Sequence, residues 1–137
     1  MRLPPGWEDW LAFFAARLPE PVRRDQAGDD TVIFLGGDPA EVIVRLSPRS
    51  IDVGEFTVRR VSGHAIVSPR WIGRLRWTRL GTDRAISAVE ALVAAARENR
   101  RSRFRTCAVC ERLTAPEHLR DDDVCQHCAG HGFDVVQ

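Results

Sequence analysis

Four cysteines near the end of the chain form the clearest chemical pattern in the sequence. They occur as two Cys-x-x-Cys pairs, Cys107 with Cys110 and Cys125 with Cys128, and the chain has no other cysteine. Such a pair folds into a tight knuckle that directs two thiolates at one ion, so two pairs complete a tetrahedral zinc site. The sequence therefore predicts one structural zinc with four thiolate ligands and no free coordination position.

Two other roles for these cysteines stay open at this stage. Disulfides are the first, but Pro4, Pro5, Glu8 and Asp9 interrupt the apolar run that a secretory signal needs, so we expect a reducing, cytoplasmic location. A histidine in place of one thiolate is the second, although four soft thiolates already satisfy zinc. The histidines in question are His118, His127 and His131.

The segment 106–128 resembles the knuckles of zinc ribbons and treble clefs, although Glu111 stands where such knuckles usually have glycine. Gly130 and Gly132 disfavour the helix of a treble clef, so we expect a ribbon or an irregular knuckle. More loosely, the chain is similar to a group of uncharacterised bacterial proteins that end in this module, and that resemblance implies no activity. It is carried by the runs FRTC (104–107), APEH (115–118), VCQHCA (124–129) and VV (135–136).

The apolar content predicts where the chain divides. Beyond Phe104 apolar residues are few, and a piece this short buries too little surface to offset its conformational entropy. Zinc can supply the difference, since its binding contributes on the order of 10 kcal/mol in small finger peptides. We therefore predict a domain at 1–103 and a zinc-binding module at 104–137.

Hydrophobic periodicity predicts an α+β fold for the first part. A stripe with helical spacing begins at Trp7, alternation typical of strands runs from Thr31 to Leu80 with a bulge at Gly54, and a second helical stripe follows Gly81. This order predicts an antiparallel β-meander packed by an N-terminal and a central helix, with arginines on its outer face. The expected core is Trp7, Trp10, Phe14, Trp71, Trp77, Ile86, Val89 and Val93.

The sequence carries no catalytic signature. All twenty basic residues are arginine, and without lysine there is no Walker phosphate loop and no Schiff-base nucleophile. The motifs His-Glu-x-x-His, Gly-x-Ser-x-Gly and Gly-x-Gly-x-x-Gly are also missing, and a zinc with four thiolates has no position for an activated water. We therefore expect a small zinc-binding protein that is not an enzyme.

A run of arginines just before the first cysteine suggests a partner. Arginine grips phosphate and a nearby aromatic such as Phe104 can stack on a base, which slightly favours nucleic acid. The same charges also fit the negative end of a helix dipole or a protein–protein adaptor with an acidic partner. A third and less favoured alternative depends on the cysteines: a redox sensor that releases zinc when its thiolates are oxidised. We expect no membrane partner, and the oligomeric state stays open. The candidate nucleic-acid-binding residues are Arg97, Arg100, Arg101, Arg103 and Arg105.

Overall fold

The computed structural model describes residues 6–121 and 123–130, and it has the expected α+β architecture. Helix α1 (Trp7–Arg17) precedes seven strands, and a 3-10 helix (Trp77–Arg79) leads into the long helix α2 (Thr82–Ser102). The strands are β1 (Val22–Gln26), β2 (Val32–Gly37), β3 (Ala40–Leu46), β4 (Ile51–Glu55), β5 (Val58–Val61), β6 (His64–Val67) and β7 (Arg70–Leu75). Among the described residues no helix is both long and apolar enough to cross a membrane.

Five of these strands form one antiparallel sheet in the order β1-β2-β3-β4-β7. This differs from the expected meander in two places. Strands β5 and β6 pair only with each other and form a separate hairpin between β4 and β7. Strand β1 was not predicted, because four of its five side chains are exposed and its sequence shows no apolar alternation.

One face of the sheet carries the hydrophobic core. Side chains that alternate along β2, β3 and β4 point to this face, and both helices cover it. Phe14 of α1 lies 5.4 Å from Phe34 of β2 between ring centroids, and Trp77 donates a hydrogen bond from its indole nitrogen to the carbonyl of Ser47 at 3.0 Å. The expected core members that are confirmed as buried or packed against the core are Trp7, Trp10, Phe14, Trp77, Ile86, Val89 and Val93.

Trp71 was wrongly predicted to lie in the core. The pairing of β4 with β7 shifts by one residue, so that Val53 faces Gly73 whereas Gly54 faces Trp71. The predicted irregularity at Gly54 is therefore present, but the extra residue is Ile72 on β7. The extra residue breaks the alternation of faces between Gly73 and Trp71. Trp71 consequently lies on the outer face with 40% of its surface exposed.

Candidate metal centre

The cysteines are positioned by two small hairpins that follow α2. The first pairs β8 (Arg105–Thr106) with β9 (Leu113–Thr114), and the second pairs β10 (Leu119–Asp121) with β11 (Val124–Cys125). A 3-10 helix (Pro116–His118) connects them. The backbone N–H of Ala108 donates to the carbonyl of Asp123 at 2.7 Å, which fastens one knuckle to the other.

The four sulfur atoms converge on one point. All four Sγ atoms lie within 4.8 Å of one another, and those of Cys110 and Cys125 are 3.8 Å apart. Tetrahedral coordination with Zn–S bonds of about 2.3 Å places sulfur atoms about 3.8 Å apart, so the arrangement fits zinc with little adjustment. Cys107, Cys125 and Cys128 are buried, whereas Cys110 is exposed.

Backbone N–H groups point at the sulfur atoms. Cys107 Sγ accepts from the amides of Val109, Cys110 and Cys125 at 3.4, 3.5 and 3.4 Å, and Cys125 Sγ accepts from the amide of Cys128 at 3.4 Å. Amide hydrogen bonds favour thiolate over thiol. The local fold therefore supports the charged form of the sulfur that a metal binds.

The acidities of the thiols diverge within the cluster. The amides of Cys110 and Cys125 lower the pKa of Cys107 to about 6. The hydrogen bond with the Cys125 thiol, together with burial, raises the pKa of Cys128 to about 12. Four thiolates at such close range repel one another, so full deprotonation requires a cation among them. When bound, a zinc ion would cross-link the two hairpins.

The second cysteine pair differs from the expected irregular knuckle. The backbone is helical at residues 126–130, starting directly after Cys125, in spite of Gly130. A knuckle, a hairpin and a helical turn thus follow one another in this part of the chain. Glu111 adopts φ = 63°, the left-handed conformation in which glycine is favoured.

Histidine does not enter the cluster in the part of the chain that the structure describes. The residues that could jointly hold a metal there are the four cysteines alone. His118 is exposed and ends the 3-10 helix, and His127 lies between two ligands on the helical turn. His131 lies outside the described residues.

No family model, curated protein or solved structure matches this chain. The metal centre therefore has to be interpreted from its own geometry.

The arginine run is engaged with carboxylates of the same chain. Arg97 and Arg101 both pair with Glu41, the former at 3.3 Å, and Arg103 Nε lies 2.8 Å from Glu55 Oε2. Glu41 and Glu55 are buried, so these pairs hold the end of α2 against the sheet. Arg105 is exposed and forms no ion pair with any described residue. These pairings were not visible in the sequence, because the partners lie between 48 and 60 residues apart.

Arg100 connects the sheet to the metal-binding module. Its side chain is 2% exposed, its Nε donates to the carbonyl of Ala40 at 3.0 Å, and its Nη2 pairs with Glu117. The guanidinium also lies 5.4 and 5.1 Å from the ring centroids of Phe56 and Phe104. Arg100 was predicted to bind nucleic acid, and in the fold its guanidinium is buried and links Ala40 of the sheet to Glu117 beside the cysteines.

Proposed function

We propose that the protein is a non-enzymatic protein–protein adaptor in which a zinc ion on Cys107, Cys110, Cys125 and Cys128 has a structural role. The observation that carries this proposal is the cluster of four cysteine sulfur atoms, three of the cysteines buried, next to the buried Arg100 that contacts the sheet. Zinc with four protein ligands holds loops in place and leaves no position for substrate or water. The metal would thus shape and orient a binding surface.

Nucleic acid was slightly favoured on the strength of the arginine run, and the pairings of that run with carboxylates of the same chain weaken that preference. Four of its five arginines already face carboxylates or a carbonyl of the same chain. A phosphate would have to compete with those carboxylates for the same N–H groups. We therefore rank the adaptor above nucleic-acid binding, and the same experiment tests both.

The test uses the zinc-loaded full chain in two measurements. First, the chain captures binding partners from a lysate of the native host, with and without nuclease treatment. Each recovered protein is then expressed and purified, and its binding to the chain is measured directly. Under our proposal a purified protein partner binds, and its capture survives nuclease. Two results together would contradict the adaptor. Nuclease treatment would abolish capture of the partner, and the logarithm of oligonucleotide affinity would fall with the logarithm of salt concentration by about 0.7 or more per phosphate contacted.

The choice of variants follows from the ion pairs. Changing Arg100, Arg101, Arg103 and Arg105 together to glutamine would remove the buried Arg100 and so perturb folding. The double variant Arg97→Gln/Arg105→Gln keeps Arg100 and Arg103 in place and still removes two charges from the run. Under the adaptor proposal it retains zinc and leaves oligonucleotide binding as weak as in the wild type.

A further inference from the structure

The segment 57–82 combines exposed apolar side chains with positive charge. In the described part of the chain seven large apolar side chains are exposed, and five of them lie in this segment. The segment also has six arginines and neither aspartate nor glutamate. Apolar side chains grouped on a surface are typical of interaction sites. The five are Val61, Ile66, Val67, Trp71 and Leu80.

The hairpin β5–β6 displays its side chains on two faces. Its register pairs Val58 with Val67 and Arg59 with Ile66, and directly paired residues share a face. Val67 therefore lies on one face and Ile66 on the other, each with an arginine of β5 on the same face. All four residues of β6 are exposed, which leaves this strand's side chains open to a partner.

Strand β7 follows this hairpin in the chain, and on the outer face of the main sheet it carries an ordered aromatic side chain. Asp52 accepts hydrogen bonds from Arg45 at 2.9 Å and from Arg74 at 2.6 Å. The three residues lie opposite one another on the neighbouring strands β3, β4 and β7. The guanidinium of Arg45 lies over the ring of Trp71 at 4.8 Å. Trp71 is thus held in place while 40% of it stays exposed, as expected for an interface anchor.

We propose that this basic apolar surface, formed by β5, β6 and the outer face of β7, binds an acidic segment of a partner protein that also carries apolar side chains. The proposal rests on the adaptor function and names its surface and the chemistry of its partner. One of the six arginines, Arg74, is paired with Asp52, but the surface keeps an excess of positive charge that attracts negative charge. Apolar side chains with tryptophan and arginine make up interface centres. Strand β7 is also the last strand of the sheet, along which an extended segment can lie.

Two other polyanions fit this surface less well. Single-stranded nucleic acid stacks its bases on aromatic rings, but the exposed apolar side chains here are mainly aliphatic and Arg45 already lies over Trp71. An anionic membrane takes up one apolar face, but Ile66 and Val67 lie on opposite faces of the hairpin and its turn is Ser62-Gly63. A flexible protein segment can contact both faces.

The experiment selects peptides from a random phage-displayed library on the immobilised, zinc-loaded chain. We expect the recovered peptides to combine Asp or Glu with apolar residues. A fluorescein-labelled synthetic copy should lose about tenfold in affinity, or more, for Ile66→Ser/Val67→Ser and for Arg59→Gln/Arg60→Gln. Leu113→Ser and Arg112→Gln are matched controls, because both residues are exposed but lie in the metal-binding module. These controls should bind like the wild type.

Each contrary result has a distinct meaning. If acidic peptides bind wild type and hairpin variants equally, this surface is wrong, whereas the adaptor function stands. If no acidic peptide is recovered and oligo(dT) binds with steep salt dependence, both proposals fail. If phosphatidylserine vesicles bind the wild type and not Ile66→Ser/Val67→Ser, the surface belongs to a membrane and the present proposal is overturned. Unchanged zinc content and amide spectra show that the variants are folded.

Discussion

Replacing Arg100 by methionine should destabilise the protein far more than replacing Arg17, whose ion pair is exposed on both sides. Arg100 is 2% exposed and pairs with Glu117, whose side chain is 13% exposed. Removing one partner of a buried ion pair leaves the other charge uncompensated and costs about 3–5 kcal/mol. Small domains have only about 5–15 kcal/mol of stability in total. The loss should therefore be a large part of the whole.

The measurement is urea unfolding followed by tryptophan fluorescence, since Trp10 and Trp77 are in the core. With a slope of about 2 kcal/mol per molar urea, the midpoint should fall by roughly 2 M. Arg17 is the matched control, because it also pairs with a glutamate (Glu90, 3.4 Å) and lies over a phenylalanine ring, but its side chain is 62% exposed. Arg17→Met should cost less than about 1 kcal/mol.

A double-mutant cycle decides whether the ion pair is the cause. Arg100→Met/Glu117→Gln should be more stable than the sum of the two single changes predicts, because glutamine removes the orphaned charge. An Arg100→Met variant within 1 kcal/mol of wild type, or strictly additive changes, would refute the interpretation of Arg100 as a buried cross-link.

Three further predictions follow from the same structure. Purified protein should contain one zinc per chain by elemental analysis, and Cys125→Ser should lose it and unfold the module; a wild-type protein without zinc would contradict the metal centre. Burial raises the pKa of Glu117, but the hydrogen bond from Arg100 and nearby positive charge outweigh burial and lower the pKa from 4.5. The stability that this carboxylate contributes is fully present above pH 4.5 and is lost as the pH falls through the lowered native pKa. The acid-induced drop in the urea midpoint should therefore be smaller in Glu117→Gln than in the wild type. Glu111→Gly should stabilise the module by up to about 1 kcal/mol, because φ is positive at this residue. Gly54→Ala should destabilise the sheet, because the new Cβ would lie 2.9 Å from the carbonyl oxygen of Arg70. Thermal melts measure both effects, and a lower melting temperature for Glu111→Gly or a higher one for Gly54→Ala would contradict the backbone argument.

The division of the chain at residue 103 stays a prediction, and the structure shows how it should be tested. Arg100 and Glu117 lie on opposite sides of that division and pair in a buried contact. Zinc removal should therefore affect the end of α2 as well as the module. Amide exchange of residues 96–103 in protein with and without zinc measures that coupling, and unchanged exchange there would support two independent parts.

Local patterns were enough to predict the helices and the four cysteines that cluster. The stripe that starts at Trp7 and the one that follows Gly81 lie within single elements, and α1 and α2 appear where the periodicity places them. The two-residue spacing inside each cysteine pair likewise fixes ligand geometry without distant contacts. Strand β1 was missed because an edge strand with exposed side chains has no apolar alternation to detect.

The sequence by itself determined the α+β class and the four cysteines that can hold a metal, since both depend on residues only a few positions apart. Tertiary structure alone decided which side Trp71 takes, because one extra residue in β7 reverses its face. It also decided which groups the arginine run contacts within the chain. A guanidinium can grip a phosphate or a carboxylate equally well, and only the fold shows that Glu41, Glu55 and Glu117 are close enough to be the partners.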